Sequence, residues 1–158
     1  MKYVKNDKKQ LIPLSLATLV AVFPSEVFAQ SINCLSPLVF GEIITCGAAG
    51  TVTVRPDDTS TSSCVTANGP VSRARCLVTQ SFPLRPIQFS INAATATITN
   101  GAPNMSITNF QIMTNAGGTV TTQTVLVLDV PIGATLNVGG TQASGAYSGS
   151  FGVTAILQ

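Results

Sequence analysis

The sequence predicts an all-β protein, an antiparallel immunoglobulin-like β-sandwich of about seven or eight strands. Three observations lead there. From Gln30 onward Thr, Ser, Asn, Gly and Val dominate and no helical apolar period appears. Short stretches alternate apolar and polar residues, the two-residue period of a strand buried on one face. Gly, Pro and Asn separate these stretches at regular intervals. A small closed barrel has the same periodicity and is the alternative architecture.

Residues 1–29 read as a removable secretory leader. A basic segment, Met1 to Lys9, precedes an apolar stretch, Leu11 to Phe23, and a small-residue exit, Val27-Phe28-Ala29, before Gln30. The apolar stretch contains Pro13 and is shorter than the ~20 residues of a spanning helix, which argues against a retained anchor. Ser31-Ile32-Asn33 ahead of Cys34 is not a lipoprotein cleavage box, and Ala155 to Gln158 forms no second anchor. The expectation is a single domain, 30–158, exported to the periplasm, the cell surface or the medium, without a membrane span.

Splitting the charge at the same point is informative. All four lysines, Lys2, Lys5, Lys8 and Lys9, lie in the leader with Asp7 and Glu26. The remainder sets Arg55, Arg73, Arg75 and Arg85 against Glu42, Asp57, Asp58 and Asp129, so it is neutral and the chain's net +2 belongs to the leader. A neutral body without His or Lys offers no basic surface for a nucleic acid and few groups for acid–base chemistry.

The elements follow in order. Thr51-Val52-Thr53-Val54 puts its valines on one face, and Ala94 to Thr99 repeats the pattern before an Asn100-Gly101 turn. Met105 and Ile107 share one parity and Phe110 and Ile112 the other, which calls for a bulge near Thr108-Asn109. Asn115-Ala116-Gly117-Gly118 is the next turn. Val125 to Leu128 lacks alternation and is expected to be covered on both sides; Leu136 and Val138 continue the pattern. Tyr147, Gly149, Phe151, Val153, Ala155 and Leu157 share one parity, with Ile156 the apolar exception, predicting one long strand from Gly145 to Gln158.

Four cysteines in an exported chain predict two disulfides, with three pairings available. Cys34 to Cys46 and Cys64 to Cys76 are both steps of 12, and Asn68-Gly69-Pro70 offers a turn inside the second. The spacing therefore predicts Cys34–Cys46 and Cys64–Cys76. Zinc would call for close Cys-x₂-Cys pairs or histidines, so neither a metal nor another cofactor is expected.

Leu38 to Ile43, Gly47 to Val54, Ile98 to Gly101 with Met105 to Phe110, Gly133 to Gly139 and Gly145 to Thr154 resemble, in that order, a secreted bacterial family known as domain of unknown function 4402. The resemblance implies export and a β-sandwich, and no activity. The last strand is similar to those of chaperone–usher pilus subunits and spore-coat-U-like proteins, whose opening glycine falls at Gly145. Leu157 stands where those subunits carry a penultimate aromatic, and only Gln30 to Asn33 precede Cys34 where they carry a donor arm.

Candidate chemical sites are few. Asp57-Asp58, within Arg55 to Ser60, reads as a surface turn rather than a calcium or acid–base pair. Asp129 ends an apolar run, is expected to be half-buried, and needs an arginine partner; it is also the first suspect if the protein were an enzyme. Arg73 and Arg75 are expected on one strand face, and Asn104-Met105-Ser106 matches a glycosylation acceptor.

Without an activating base for the many hydroxyls, no catalysis is expected. The expected function is an extracellular structural or adhesive subunit, pilus-like or coat-like, assembling through strand edges with copies of itself or other surface subunits. A periplasmic chaperone is a further candidate partner. Gly145, Tyr147, Gly149, Phe151 and Val153 mark the assembly strand. The alternative is a monomeric sandwich that binds a surface glycan through its loops.

Overall fold

Alternation in the chain becomes strand pairing. A computed structural model of the protein describes residues 29–92, 95–99, 104–113 and 118–158. The leader through Phe28 and the turns expected at Asn100-Gly101 and Asn115 to Gly117 lie outside the described residues. Those residues form thirteen antiparallel strand segments and no helix.

The larger sheet runs β1 (Gln30–Ser36), β6 (Ala74–Gln80), β11 (Val127–Val138), β9 (Met105–Ile112), β8 (Ala96–Thr99), β12 (Ser148–Gly149). β3 (Gly50–Val54) joins β11 beyond β6 and carries β4 (Ser60–Ser63). A second sheet sets β7 (Ile87–Ile91) between β10 (Val120–Gln123) and β13 (Val153–Leu157), and β2 (Glu42–Thr45) pairs with β5 (Val65–Asn68). The layers enclose one core as an all-β sandwich. Val52 and Val54, Val78, Ile107, Ile132 and Leu136 come from the larger sheet, Ile87 and Phe89 from the smaller, and Ile43 from β2. Side chains of this size contribute roughly 1.5–3 kcal/mol each when fully buried.

β11 is the spine. Its first half pairs with β6, its second with β3, and β9 runs along the opposite side. Val125 to Leu128 is not covered on both sides; the run buried at every residue lies further along, from Ile132 to Leu136, in the stretch that pairs with β3 and β9 within the sheet. Leu126 and Val127 are exposed instead. At Gly133 the backbone packs so closely that an added Cβ would sit 2.8 Å from Arg55 and Pro56. The face switch in β9 is present: its register against β11 shifts between Gly133 and Thr135, Asn109 takes φ 51°, and Met105, Ile107, Phe110 and Ile112 are all buried.

Two expectations need correction. The disulfides are Cys34–Cys76 and Cys46–Cys64, not the two local loops. Strand register decides this. Cys34 lies directly opposite Cys76 in the β1–β6 ladder, while Cys46 and Cys64 extend the β2–β5 ladder one step beyond Thr45 and Val65. β5 and β6 therefore do not fold on each other about Asn68-Gly69-Pro70; each pairs with an earlier strand.

The long terminal strand is also broken. β12 pairs with β8 in the larger sheet and β13 with β7 in the smaller, so Ser150 to Gly152 carries the chain from one layer to the other. A strand handed between layers cannot keep one ladder. The parity within β13 survives, with Ala155 buried and Ile156 exposed.

Candidate functional site

The Asp and Arg side chains hold surface structure. Asp57 Oδ1 accepts from the Thr59 main-chain N–H at 3.0 Å and from its hydroxyl at 2.6 Å, an Asx turn that holds the Asp57 carboxyl below its ordinary pKa. Asp58, at φ 71°, accepts from the Arg73 main-chain N–H at 3.0 Å, so the neighbouring carboxylates serve different partners. Arg73 donates to Pro56 O at 2.5 Å, whereas Arg75 grips Asp129, Nε to Oδ1 at 2.9 Å and Nη2 to Oδ2 at 2.5 Å. Hydrogen bonding from Arg75 holds the Asp129 carboxyl below its ordinary range and raises Arg75. Both side chains are 45% exposed, so Asp129 is a surface residue, and the arginine partner expected for it is Arg75. Asn104 is exposed just ahead of β9 while Met105, beside it, is buried.

The feature that stands out is an apolar cleft of about 490 Å³. One wall is the segment from Pro37 to Glu42, the other Ala146 to Phe151, and Ile98 and Ile107 line it from the core. Local sequence explains each wall. Pro37 lacks the N–H that would continue β1, and Gly41, at φ 76°, turns the chain into β2; a Cβ there would press 2.7 Å from Asn68 O. Val39 and Ser72 exchange main-chain bonds of 2.8 and 2.9 Å, which leaves the main-chain groups of Leu38 and Phe40 directed away from Ser72.

The opposite wall is fixed by β12 against β8 and by Tyr147. The Tyr147 hydroxyl donates to Ala143 O at 2.6 Å and accepts from Gln142 Nε2 at 2.9 Å, which orients the ring. Phe151 packs on Phe110 with ring centroids 4.9 Å apart. Ile43 and Gly145 exchange main-chain bonds of 3.0 Å and close one end. Beyond that bridge, no main-chain bond joins Pro37–Gly41 to Ala146–Phe151 among the described residues. A smaller hollow of about 180 Å³, lined by Cys34, Cys76 and Val153, shares Pro37, Gly149 and Phe151 with the cleft.

This arrangement can bind but offers little for proton transfer. Glu42 is the single charged residue of the lining and no second carboxylate converges on it. Two backbone segments that share one bridge line an apolar hollow together with Asn68 to Pro70, a setting in which an extended segment can add to main chain. Among the residues marked in the sequence, Tyr147, Gly149 and Phe151 line the cleft, Gly145 closes its end, and Val153 lines the annex. Leu38, Phe40, Ile98 and Ile107 were not singled out. Pro37 and Gly41, two backbone breakers four residues apart ahead of a strand, were the available signal.

The fold and cleft define an antiparallel β-sandwich with an apolar cleft between the segment that leads into β2 and the segment around β12. Residues 31–156 match the model of the family described as domain of unknown function (DUF4402), and the chain belongs to that family. No curated protein and no solved structure matches it.

Proposed function

We propose that the protein is an exported structural or adhesive subunit that assembles through β-strand edges, taking an extended segment of another subunit into the cleft. The observation that carries this reading is that, beyond the Ile43–Gly145 bridge, no main-chain bond joins Pro37–Gly41 to Ala146–Phe151 among the described residues, and both segments line an apolar hollow. An incoming strand would bond to main chain while its alternate side chains cover Ile98, Ile107 and Phe151. Each such main-chain bond contributes a net ~0.5–1.5 kcal/mol, and recognition of this kind needs no charge, in keeping with the neutral body of the chain. The two disulfides suit a subunit that works in an oxidising compartment.

Hydrogen exchange on assemblies isolated from the producing cell, compared with the dissociated protein, tests this. Protection gained by the amides of Leu38 and Phe40 and of Ala146 to Phe151 supports strand capture. Equal exchange at both walls in assembled and dissociated protein would count against it.

A further inference from the structure

We infer that β1 is a self-pairing edge, through which two copies of this chain join antiparallel about a two-fold axis at Ile32. This surface lies outside the cleft and does not depend on strand capture there.

β1 ends the larger sheet, and at seven residues it is the longest strand at the end of a sheet among the described residues. β4 and β10 have four residues and β12 two. β13 has five, and its Ala155 O already accepts from the Gln30 side chain at 2.8 Å.

The direction of the main-chain groups follows from the ladder. Ser81 N–H donates to Ala29 O, while Gln80 N–H donates to Leu126 O on the far side of β6. The odd residues Ser31 and Asn33 therefore bond to β6, and Gln30, Ile32 and Cys34 turn their N–H and C=O groups outward. These three positions are symmetric about Ile32. An antiparallel copy sets Ile32 opposite Ile32 and Gln30 opposite Cys34, giving about four bonds from peptide N–H groups, with the terminal amine of Gln30 facing Cys34 O at either end once the leader is removed.

The side chains fit that register. Ile32 is 38% exposed and would meet its own copy, while Ser31 and Asn33 are small and polar. No side chain from Gln30 to Ser36 is charged, so the Lys or Glu that commonly blocks an edge is missing. The Cys34–Cys76 bond holds the strand in place beforehand, and the bulge at Leu35 with Pro37 beyond it confines pairing to Gln30–Cys34.

The test is the self-association of the mature protein by sedimentation, with amide exchange at Ile32 and Cys34 followed at low and high concentration. The expected result is a dimer whose formation slows exchange at those two amides, and at least a ~10-fold weaker dimer in Ile32→Lys. Ile44→Lys, another exposed position, should leave the dimer unchanged. Exchange in the wild type needs no variant to fold, and intact disulfides report on folding of Ile32→Lys. A monomer at all concentrations, or a dimer with unprotected Ile32 and Cys34, overturns the inference. Assembly lost in Leu38→Asp but untouched by Ile32→Lys also overturns it while leaving the cleft reading in place.

Discussion

Ile43 and Gly145 exchange two main-chain hydrogen bonds of 3.0 Å and fasten the start of β2 to the approach of the last strands. Beyond this clasp no main-chain bond joins Pro37–Gly41 to Ala146–Phe151 among the described residues, and Ile98 and Ile107 line the hollow with them. A sandwich closed along that line would have no use for Leu38, Val39, Tyr147 and Phe151 around a hollow of about 490 Å³. The cleft sets the expectations below.

Gly149→Ala should damage the cleft wall. A Cβ at this position would lie 2.5 Å from Ile98 Cγ2 and 2.6 Å from Thr97 O, so β12 must move off β8. Overpacking of this kind costs ~1–3 kcal/mol, read as a lower midpoint in urea unfolding. Amides of Thr97 to Thr99 should exchange faster in the variant; an unchanged midpoint and exchange pattern would show that β12 does not form the wall.

Ile132→Ala should cost ~2–5 kcal/mol, because this side chain is fully buried in the central strand and its neighbours close only partly over the void. Chemical denaturation measures it. A loss below 1 kcal/mol would mean that β11 is not the spine of the core.

Non-reducing peptide mapping should recover Cys34 joined to Cys76 and Cys46 joined to Cys64. The sequence separations are 42 and 18, so in the chain-entropy model each closed loop alone stabilises by ~3–4 kcal/mol. Replacing both members of either pair by Ala should lower the unfolding midpoint accordingly. Recovery of Cys34 with Cys46 would contradict the β1–β6 register.

The Arg75–Asp129 pair should register in the acid limb of stability. The folded-state pKa of Asp129 is depressed, so its contribution is present above the unfolded carboxylate range and fades as pH falls through the folded value. Asp129→Asn should therefore melt slightly below wild type at neutral pH, and the gap should close well below the ordinary carboxylate range. The gap stays small because both groups are 45% exposed and screened. A gap that widened with acid would reverse the sign.

What could be read from the chain was local. Thr51 to Val54 and the parity switch across Met105 to Ile112 predicted their faces and the bulge, since a strand's period is written in its own residues. Pairing between distant strands leaves no such mark. Equal steps of 12 between cysteines suggested two loops, but β1 finds β6 and β2 finds β5 across the fold. Gly145 to Gln158 kept its parity and still broke, because parity does not record a change of layer at Ser150 to Gly152. The cleft was half legible: Tyr147, Gly149 and Phe151 stood out by alternation, whereas Leu38 and Phe40 reach them only through the clasp at Ile43.

The central claim proposed, assembly by strand capture in the cleft, is tested most directly on protein taken from the producing cell. Deleting Tyr147 to Gln158 is unsuitable, because β13 places Ala155 in the core; Leu38→Asp instead puts a charge on a wall residue packed at the edge of the core. Unheated electrophoresis and negative-stain microscopy of wild type and Leu38→Asp should show heat-dissociable ladders or fibres in the first, and their loss in a variant that keeps both disulfides. A strictly monomeric wild-type protein, on the cell and at high concentration in solution, would contradict the account.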